Sequence, residues 1–390
     1  MQSLLPSPLE FSVHFSRHRR YSAGSACAVL LFTLACTAEQ GPIRIGLAGP
    51  FTDSVGAPMR RAAELAVEQA NRSGGINGRP IELIVRDDFG NPDSAVNVAE
   101  ALEAAGVVAV IGHIYSGTTL AAAPVYNDPR DPVVQISPSS TAPEVTAAGA
   151  YTFRVCPSDL QYGAALARFT AGRLGLRRGT ILYLNDDYGR GLRQAFARSF
   201  TQLGGTIDDT DPYLGATPDV DAYLDRLARR KSSQFIFLGG NLSEGETTLR
   251  AAASRKLRIP LLGGDGLEGL ENTGALAEGT YIANGYLASF PSPHNREFVS
   301  AYTDRYPGAA PPSQAAAATY DIFFLLRRVI GQVGTDRHRI RDAVAAIGST
   351  AAAYDGVTGE IAFDEQGDVP KQRVVIGQVH NGQVIVVEGL

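Results

Sequence analysis

The sequence predicts an α/β protein built from two doubly wound lobes, and three observations support this prediction. Short apolar runs alternate with amphipathic segments from residue 43 to residue 284. The apolar runs are continuous, which is typical of strands that are buried on both faces of a parallel sheet. They are also too numerous for one comfortable sheet, so a chain of 390 residues is expected to divide them between two lobes.

The first series of strands and helices lies between residues 43 and 137. Pro92 falls in the first turn of its second helix, and Gly106 stops that helix. The predicted strands are IRIGLAG, IELIVRD, VVAVIG and PVVQIS, and the predicted helices are 57–71, 91–106 and 118–126.

The second series begins at residue 152 and repeats the same alternation. Its predicted strands are TFRVCP, GTILYLN, GTIDDTDPY, QFIFLGG, IPLLGGD and GTYIANGY, and its predicted helices start at Asp159 or span 188–203, 220–230 and 243–254. Three more helices are predicted over 294–306, 314–331 and 337–347. The end of the chain reads as a hairpin whose turn is Asn381-Gly382, a pair suited to a two-residue turn.

The N-terminal segment is predicted to be an export signal, residues 1–36. A basic patch at 17–20 precedes an apolar run from 23 to 35, which is too short to span a bilayer comfortably. The box "TLAC" ends at Cys36, which we expect to carry a lipid. Ordinary cleavage near Ala38 and an N-terminal core helix are the alternatives. The mature protein is therefore expected in the periplasm or on the outer face of the cytoplasmic membrane, lipid-anchored there.

Composition and charge exclude several classes of function. Removing three arginines and one glutamate with the signal, from totals of 35 basic and 40 acidic residues, leaves a net charge of about −7. This argues against a nucleic-acid partner, for which a basic stripe is expected. No HExxH motif, GxSxG elbow or cysteine–histidine cluster is present. We therefore expect no metal, no cofactor and no enzymatic activity; the adjacent pair Asp186 and Asp187 is a poor catalytic candidate, because adjacent residues rarely converge.

The stretch "HIYSGTT", residues 113–119, forms the first candidate site. It joins a predicted strand to a predicted helix, where free backbone N–H groups and the helix dipole favour an anion. Ser116, Thr118 and Thr119 add hydroxyl donors. A carboxylate suits this turn better than a polyphosphate, because the turn has neither a lysine nor a long glycine run. The alternatives are simple N-capping by serine and threonine and, for His113, a satisfied turn histidine.

A second turn of the same kind follows the next strand. In "ISPSSTAPEVT", Ser139, Ser140 and Thr141 again place hydroxyl groups at the end of a strand. Because ligands of doubly wound folds bind at the carboxyl ends of strands, the two turns predict one pocket for a small polar head group.

Other stretches join these two turns in a family resemblance. They are "IRIGLAGPFTD", "AVEQANRSGGINGRPIELIVRDDFGNPDSAVNVAEAL", "TFRVCPSD", "LNDDYGRGL" and "GEIAFDEQGD". Together with the two turns, they make the chain resemble the periplasmic substrate-binding proteins of the leucine/isoleucine/valine type, the receptors of branched-chain amino acid ABC transporters. The resemblance covers essentially all of the chain after the signal.

The resemblance implies the type I periplasmic-binding-protein fold. Its N-lobe would comprise 41–155 plus 285–372, and its C-lobe would comprise 156–284 plus 373–390. Three crossovers between the lobes would form the hinge.

The resemblance also implies roles for five residues. Ser116 would bind a ligand carboxylate, the carbonyl of Ser139 would receive the ligand ammonium, and Thr141 would touch both groups. Tyr188 would close on the ligand from the C-lobe, and Asp265 would bind the ammonium where the family has a glutamate. The structural alternatives are packing of Tyr188 between the lobes and capping of a following helix by Asp265.

The chain departs from the leucine binders around the ligand side chain. Val55 and Asn241 stand where those proteins have tyrosines. Asn241 is also a candidate ligand residue, and the alternative is that it is an ordinary turn residue. Phe89 and Tyr115 replace the two cysteines of their disulfide. We therefore expect a preserved head-group site for an α-amino acid and a rebuilt side-chain pocket.

The expected function is that of a solute-binding receptor. It would capture a small amino acid or related carboxylate by hinge closure and present it to an ABC permease in the membrane. The alternative is a ligand-sensing or envelope-partner-binding lipoprotein of the same fold without a transport role.

Overall fold

The computed structural model describes residues 41–213 and 220–388, together with Ser12. The predicted lipidation site Cys36 and the rest of the predicted signal, apart from Ser12, lie outside the described residues. The described residues from Gly41 onward form one compact unit. No helix within the described ranges is both long enough and apolar enough to cross a membrane.

The first sheet contains five parallel strands in the order β2-β1-β3-β4-β5. Its strands are β1 (Ile43–Gly49), β2 (Ile81–Asp87), β3 (Ala109–Ile111), β4 (Val134–Ser137) and β5 (Thr152–Arg154). The connecting helices are α1 (Gly56–Arg72), α2 (Pro92–Ala104) and α3 (Ser116–Tyr126), and a 3-10 segment (Pro143–Ala147) precedes β5.

The second sheet has five parallel strands in the order β7-β6-β8-β9-β10, extended by a hairpin at the β10 edge. These strands are β6 (Arg178–Leu184), β7 (Thr206–Tyr213), β8 (Phe235–Gly239), β9 (Leu261–Gly263) and β10 (Tyr281–Asn284). The helices of this part are α4 (Asp159–Arg168), continued by a π-helical turn (Phe169–Arg173), then α5 (Asp187–Gln202), α6 (Asp221–Arg230) and α7 (Leu242–Ser254).

The last hundred residues pack helices against the first sheet and add a hairpin to the second. They form α8 (Pro293–Arg305), α9 (Gln314–Val333), α10 (Arg337–Ala345), a small antiparallel pair β11 (Tyr354–Gly356) and β12 (Gly359–Ile361), and the hairpin β13 (Val375–His380) and β14 (Gln383–Glu388). The hairpin turn is Asn381-Gly382, and both residues have positive φ, as a two-residue turn with a right-handed twist requires. The predicted C-terminal hairpin is confirmed.

Burial on both faces of each sheet explains the continuous apolar runs. The first sheet packs against α1, α9 and α10 on one face and against α2 and α3 on the other. The second sheet packs against α4 and α5 on one face and against α6 and α7 on the other. Ile181 and Leu182, adjacent on β6, are both fully buried, each in a different core. The predicted α/β class with doubly wound sheets is confirmed.

The parallel strands of the two sheets follow the same order. In each, the second strand lies at the edge, followed by the first, third, fourth and fifth. In this order the topological switch point lies between the first and third strands, and ligands bind outside the carboxyl ends of the strands. A ligand site is therefore expected among the loops after β1, β3 and β4 and those after β6, β8 and β9.

Asp321 on α9 ties the small antiparallel pair to the first core. It is buried, and its carboxylate accepts hydrogen bonds from Val357 N–H at 2.7 Å, Thr358 N–H at 2.8 Å and the Thr358 hydroxyl at 2.7 Å. A Cβ at Gly356 would lie 2.6 Å from the Asp321 carboxyl carbon. The turn between β11 and β12 is therefore built around this carboxylate.

Replacing Asp321 with alanine is expected to lower the free energy of unfolding by about 2–4 kcal/mol, because three donors lose their buried acceptor. Thermal unfolding of the ligand-free chain measures this. Asp355→Ala is the matched control, since its side chain in the same hairpin is 82% exposed. Equal effects of the two substitutions would contradict the assignment.

Candidate functional site

All seven predicted ligand residues follow the carboxyl ends of parallel strands. Ser116 and Thr118 follow β3, Ser139 and Thr141 follow β4, Tyr188 follows β6, Asn241 follows β8 and Asp265 follows β9. The first four lie at strand ends of the first sheet and the other three at strand ends of the second. The two groups meet, since a Cβ at Gly117 on α3 would lie 3.4 Å from a carboxylate oxygen of Asp187 on α5.

Ser116 is the first residue of α3 and is buried. The N-cap position belongs to Tyr115, and no side chain caps this helix end. The Ser116 hydroxyl oxygen accepts the N–H of Ala142 at 3.2 Å. Its hydroxyl hydrogen is therefore left to donate to another acceptor, next to the free N–H groups of the helix.

The other hydroxyls of this turn are engaged within the protein. The Thr118 hydroxyl donates to the Tyr115 carbonyl oxygen at 2.8 Å. The Thr119 and Ser140 hydroxyls share a hydrogen bond of 2.7 Å, and Ser140 also donates to the Ile114 carbonyl oxygen at 3.0 Å. This buried network joins the two hydroxyl turns into one rigid surface. Thr118 has its hydroxyl hydrogen committed to its own turn.

Arg154, at the end of β5, holds the second turn in place, a role that its sequence context does not predict. The guanidinium donates to the carbonyl oxygens of Ser140 at 3.3 Å, Thr141 at 3.0 Å and Ala142 at 2.9 Å. It is 1% exposed and forms an ion pair with Asp368 at 2.7 Å. Three consecutive carbonyls thus point toward Arg154, which fixes the direction of the turn's remaining groups.

Thr141 is fully buried within this turn. Its carbonyl oxygen accepts the N–H of Asp159 at 2.8 Å. Its hydroxyl makes no hydrogen bond of good geometry within the described residues, although it lies close enough to the carboxylate of Asp159 to lower the pKa of that group. A buried hydroxyl without a full partner is unusual in a folded protein.

Tyr188 and Asp265 form the opposite wall. The Tyr188 hydroxyl donates to the Asp265 carboxylate at 3.2 Å and accepts the N–H of Gly266 at 3.0 Å. A Cβ at Gly264 or Gly266 would lie 2.9 Å from the Tyr188 hydroxyl oxygen. The glycines of "GGDG" therefore permit the close approach of this tyrosine to the loop after β9.

Asp265 is 9% exposed. Burial raises the pKa of its carboxyl to about 7, and donation from the Tyr188 and Ser139 hydroxyls opposes this rise. Ser139 belongs to a loop of the first sheet, so this contact bridges the two walls. Asp265 starts a single 3-10 turn, Asp265–Leu267, whose N-cap is Gly264. The alternative in which Asp265 caps a following helix is therefore wrong.

Asn241 is placed as the N-cap of α7. Its side chain accepts the backbone N–H of Glu244, and the Glu244 carboxylate accepts the Asn241 N–H at 3.0 Å. This reciprocal pair is a capping box. The Asn241 amide oxygen therefore serves the helix, while its NH₂ group has no such role.

The remaining positions that depart from the leucine binders lie just before α1 and just after β2 and β3. Val55 is half-buried, and its N–H donates to Asp53 at 2.8 Å. Tyr115 donates from its hydroxyl to the same carboxylate at 2.9 Å. Phe89 is 68% exposed. Tyr115 is thus held by Asp53 where the leucine binders have half of a disulfide.

His113 lies beneath the first turn and is fully buried. Its Nδ1 is 2.6 Å from the carboxylate of Asp88, which is equally buried. Its carbonyl oxygen accepts the Ser137 hydroxyl at 2.6 Å. These contacts place His113 as a structural residue of the turn. Within 41–213 and 220–388, no group of three histidine, cysteine, aspartate or glutamate side chains has metal-site geometry.

Comparison with known proteins agrees with this architecture. A profile of the family described as periplasmic binding protein matches residues 42–383. The leucine-, isoleucine-, valine-, threonine-, and alanine-binding protein of Pseudomonas aeruginosa is 28% identical over 337 residues, which cover 84% of this chain and 87% of that protein.

Two solved structures are also similar. An ABC transporter substrate-binding protein of Desulfitobacterium hafniense in complex with Leu is 30% identical with a TM-score of 0.76, over 89% of this chain and 100% of that one. The branched-chain amino acid transporter substrate binding protein of Streptococcus pneumoniae in complex with isoleucine is 26% identical with a TM-score of 0.81. The match covers 90% of this chain and 99% of that one. Because the family match spans most of the chain and the strand-end site agrees with it, this protein belongs to the periplasmic binding protein family, and its resemblance to the leucine/isoleucine/valine type is confirmed.

Proposed function

We propose that this protein is the extracytoplasmic receptor of an ABC importer and that it captures a small amino acid or amino-acid-like zwitterion. The observation that carries the proposal is the opposition of two unlike walls. One wall offers the Ser116 hydroxyl, the Thr141 hydroxyl and the N-terminus of α3. The other offers the Asp265 carboxylate and the Tyr188 hydroxyl. Donors on one wall and a carboxylate on the other suit a ligand with an anionic and a cationic end.

The walls also define the orientation of the ligand. Its carboxylate would lie at the start of α3, where the Ser116 hydroxyl hydrogen and free N–H groups can donate to it. Its ammonium would lie between the carbonyl of Ser139, the hydroxyl of Thr141 and Asp265. The Tyr188 hydroxyl would stay on Asp265 and orient that carboxylate. Thr118 and Asn241 would support the walls through their backbone contacts, with only the NH₂ of Asn241 available to the ligand.

Hinge bending would part the two walls to admit the ligand and then close them on it. The proposed N-lobe, 41–155 plus 285–372, contains the first sheet, and the proposed C-lobe, 156–284 plus 373–390, contains the second. The proposed crossovers lie side by side: a Cβ at Gly285 would lie 2.7 Å from Pro157, and Gln161 donates to the Gln372 carbonyl oxygen at 3.5 Å. Three adjacent crossings permit bending of one lobe toward the other without loss of packing in either core.

The partners and the location follow from this role. The closed form would be the form that a membrane permease recognises, and a lipid on Cys36 would keep the receptor near that permease. Neither a cofactor nor a catalytic step is needed, because the binding free energy alone shifts the protein toward its closed form.

A thermal-unfolding screen of the chain from residue 37 onward tests the proposal. Each of the twenty proteinogenic amino acids and its amide would be added in turn, with benzoate as a carboxylate without an amino group. A compound at 100 times its dissociation constant adds about 2.7 kcal/mol to the free energy of unfolding. A shift with an α-amino acid supports the proposal, and a shift with benzoate alone contradicts the ammonium site. No shift at all would contradict solute capture and favour the partner-protein alternative.

Replacing Thr141 with valine is expected to weaken amino-acid binding about 10-fold or more, because the substitution removes a hydroxyl that faces both ends of the zwitterion. The ligand-free protein should lose little stability, since that hydroxyl makes no hydrogen bond of good geometry. Titration calorimetry measures the affinity. Thr303→Val on the surface of α8 is the matched control and should leave binding unchanged. Unchanged binding in Thr141→Val would count against the assigned site.

Replacing Asp265 with asparagine is expected to stabilise the ligand-free protein progressively as pH rises. The folded pKa, about 7, exceeds the reference value of 3.8, so the stability that Asp265 confers is complete below pH 3.8 and is lost as pH rises through 7. The stability of the variant minus that of the wild type should be small at pH 4 and approach about 4 kcal/mol at pH 8. Unfolding midpoints across this range measure it.

The control for this comparison is Asp355→Asn, which changes an exposed carboxylate. The stability of Asp355→Asn minus that of the wild type should not rise with pH as it does for Asp265→Asn. Binding of a cationic group should also strengthen in the wild type as pH rises through 7, because the ligand prefers the charged form of Asp265. A pH-independent difference for Asp265→Asn would rule out a buried, ligand-ready carboxylate at this position.

A further inference from the structure

Asp159 is a second buried carboxylate at the proposed ammonium site, and the family resemblance gave it no role. It lies at the first position of α4 and is 0% exposed. Neither of its carboxylate oxygens makes a hydrogen bond of good geometry within the described residues. Buried carboxylates in folded proteins are almost always hydrogen-bonded or paired, so this one requires an explanation.

Capping of α4 does not explain it. The helix already has a capping box, in which the Ser158 side chain accepts the N–H of Gln161 and the Gln161 side chain accepts the N–H of Ser158. The helix dipole favours a negative charge in the first turn, but such a residue is normally exposed to water. Asp159 instead points into the protein.

The surroundings of Asp159 are residues of the proposed site. Its N–H donates to the Thr141 carbonyl oxygen at 2.8 Å, and the Thr141 hydroxyl lies beside its carboxylate. A Cβ at Gly191 on α5 would lie 2.5 Å from one of its oxygens and 2.7 Å from Pro143. The glycine thus makes room for this carboxylate between α5 and the second hydroxyl turn.

The charged groups around Asp159 are mostly acidic. Burial raises its pKa well above the usual range, the Thr141 hydroxyl opposes this, and the charges of Asp265 and Glu144 add to it. Arg154 is the one cation among the groups that act on the pKa of Asp159. Its guanidinium already pairs with Asp368 and donates to three carbonyl oxygens. The charge of Asp265 therefore reaches buried Asp159, and the one cation nearby is already engaged elsewhere.

We propose that Asp159 and Asp265 together bind the cationic nitrogen of the ligand, with Thr141 between them. The inference rests on the proposed function and makes it narrower. The ligand must then carry a protonated amino group. A carboxylate that lacks an amino group has no positive charge to pair with these two acids.

A comparison of ligand pairs in two proteins tests this. The wild-type chain and Asp159→Asn would be titrated with each of the twenty amino acids by calorimetry. Every amino acid that binds would be paired with the carboxylic acid that lacks its amino group, for example leucine with 4-methylpentanoate. The wild type should prefer the amino acid by at least 100-fold. Asp159→Asn should reduce this preference about 10- to 100-fold, mainly through weaker binding of the amino acid.

Stability and a neighbouring acid provide the controls. Ligand-free Asp159→Asn should melt at the same temperature as the wild type or higher, because an unpaired buried acid becomes a neutral amide. If Asp159 instead stabilised the fold, Asp159→Asn would lower the melting temperature. Glu144→Gln removes an exposed carboxylate nearby and should change the preference less than 3-fold. Asp159→Ala, which leaves no polar group, should match the binding loss of Asp159→Asn.

The possible outcomes are distinguishable. If the wild type binds none of the twenty amino acids, the proposed function fails and this inference fails with it. If the wild type binds an amino acid and Asp159→Asn keeps the same preference over the deaminated acid, the inference fails alone. If Glu144→Gln reduces the preference as much as Asp159→Asn does, long-range charge rather than direct contact is responsible, and the inference is again overturned.

Discussion

The buried guanidinium of Arg154 is the constraint on which the site depends. It holds three consecutive carbonyls, from Ser140 to Ala142, and pairs with Asp368. With these carbonyls facing Arg154, the N–H of Ala142 faces Ser116 and the Thr141 hydroxyl lies beside the carboxylate of Asp159. A buried cation of this kind is tolerated when an ion pair and hydrogen bonds offset its loss of hydration. The turn and the return of the chain near residue 368 are therefore fixed together.

The two sheets share one strand order, but the side chains at their strand ends differ. The segments after β3 and β4 of the first sheet present hydroxyl groups and a helix N-terminus, which attract an anion. The segments after β5 of the first sheet and after β9 of the second present carboxylates, which attract a cation. Because the polarity lies in the loops and not in the sheets, a common scaffold can set the spacing of the two walls while the loop residues set what binds between them.

The strands, the helices and the hairpin were predictable because their signals are local: continuous apolar runs, Pro92 at a helix start and the Asn381-Gly382 turn. The two hydroxyl turns were predictable as features but not residue by residue. The same serine and threonine types serve a ligand or their own backbone, and only the structure shows that Thr118 bonds its own turn. Arg154 was missed because its partner Asp368 is 214 residues away.

The two carboxylates also bear on how an empty receptor avoids closing. On the proposed function, closure without a ligand would leave Asp159 and Asp265 buried beside Thr141 with no cation between the acids. They would then have to take up protons or remain charged and unpaired, and either state costs free energy. A ligand amino group removes that cost only in the closed form. Its affinities for the open and closed forms therefore differ, and such a difference is the sole means by which a ligand shifts a conformational equilibrium. The residues that select the ligand are then the same residues that make closure depend on it.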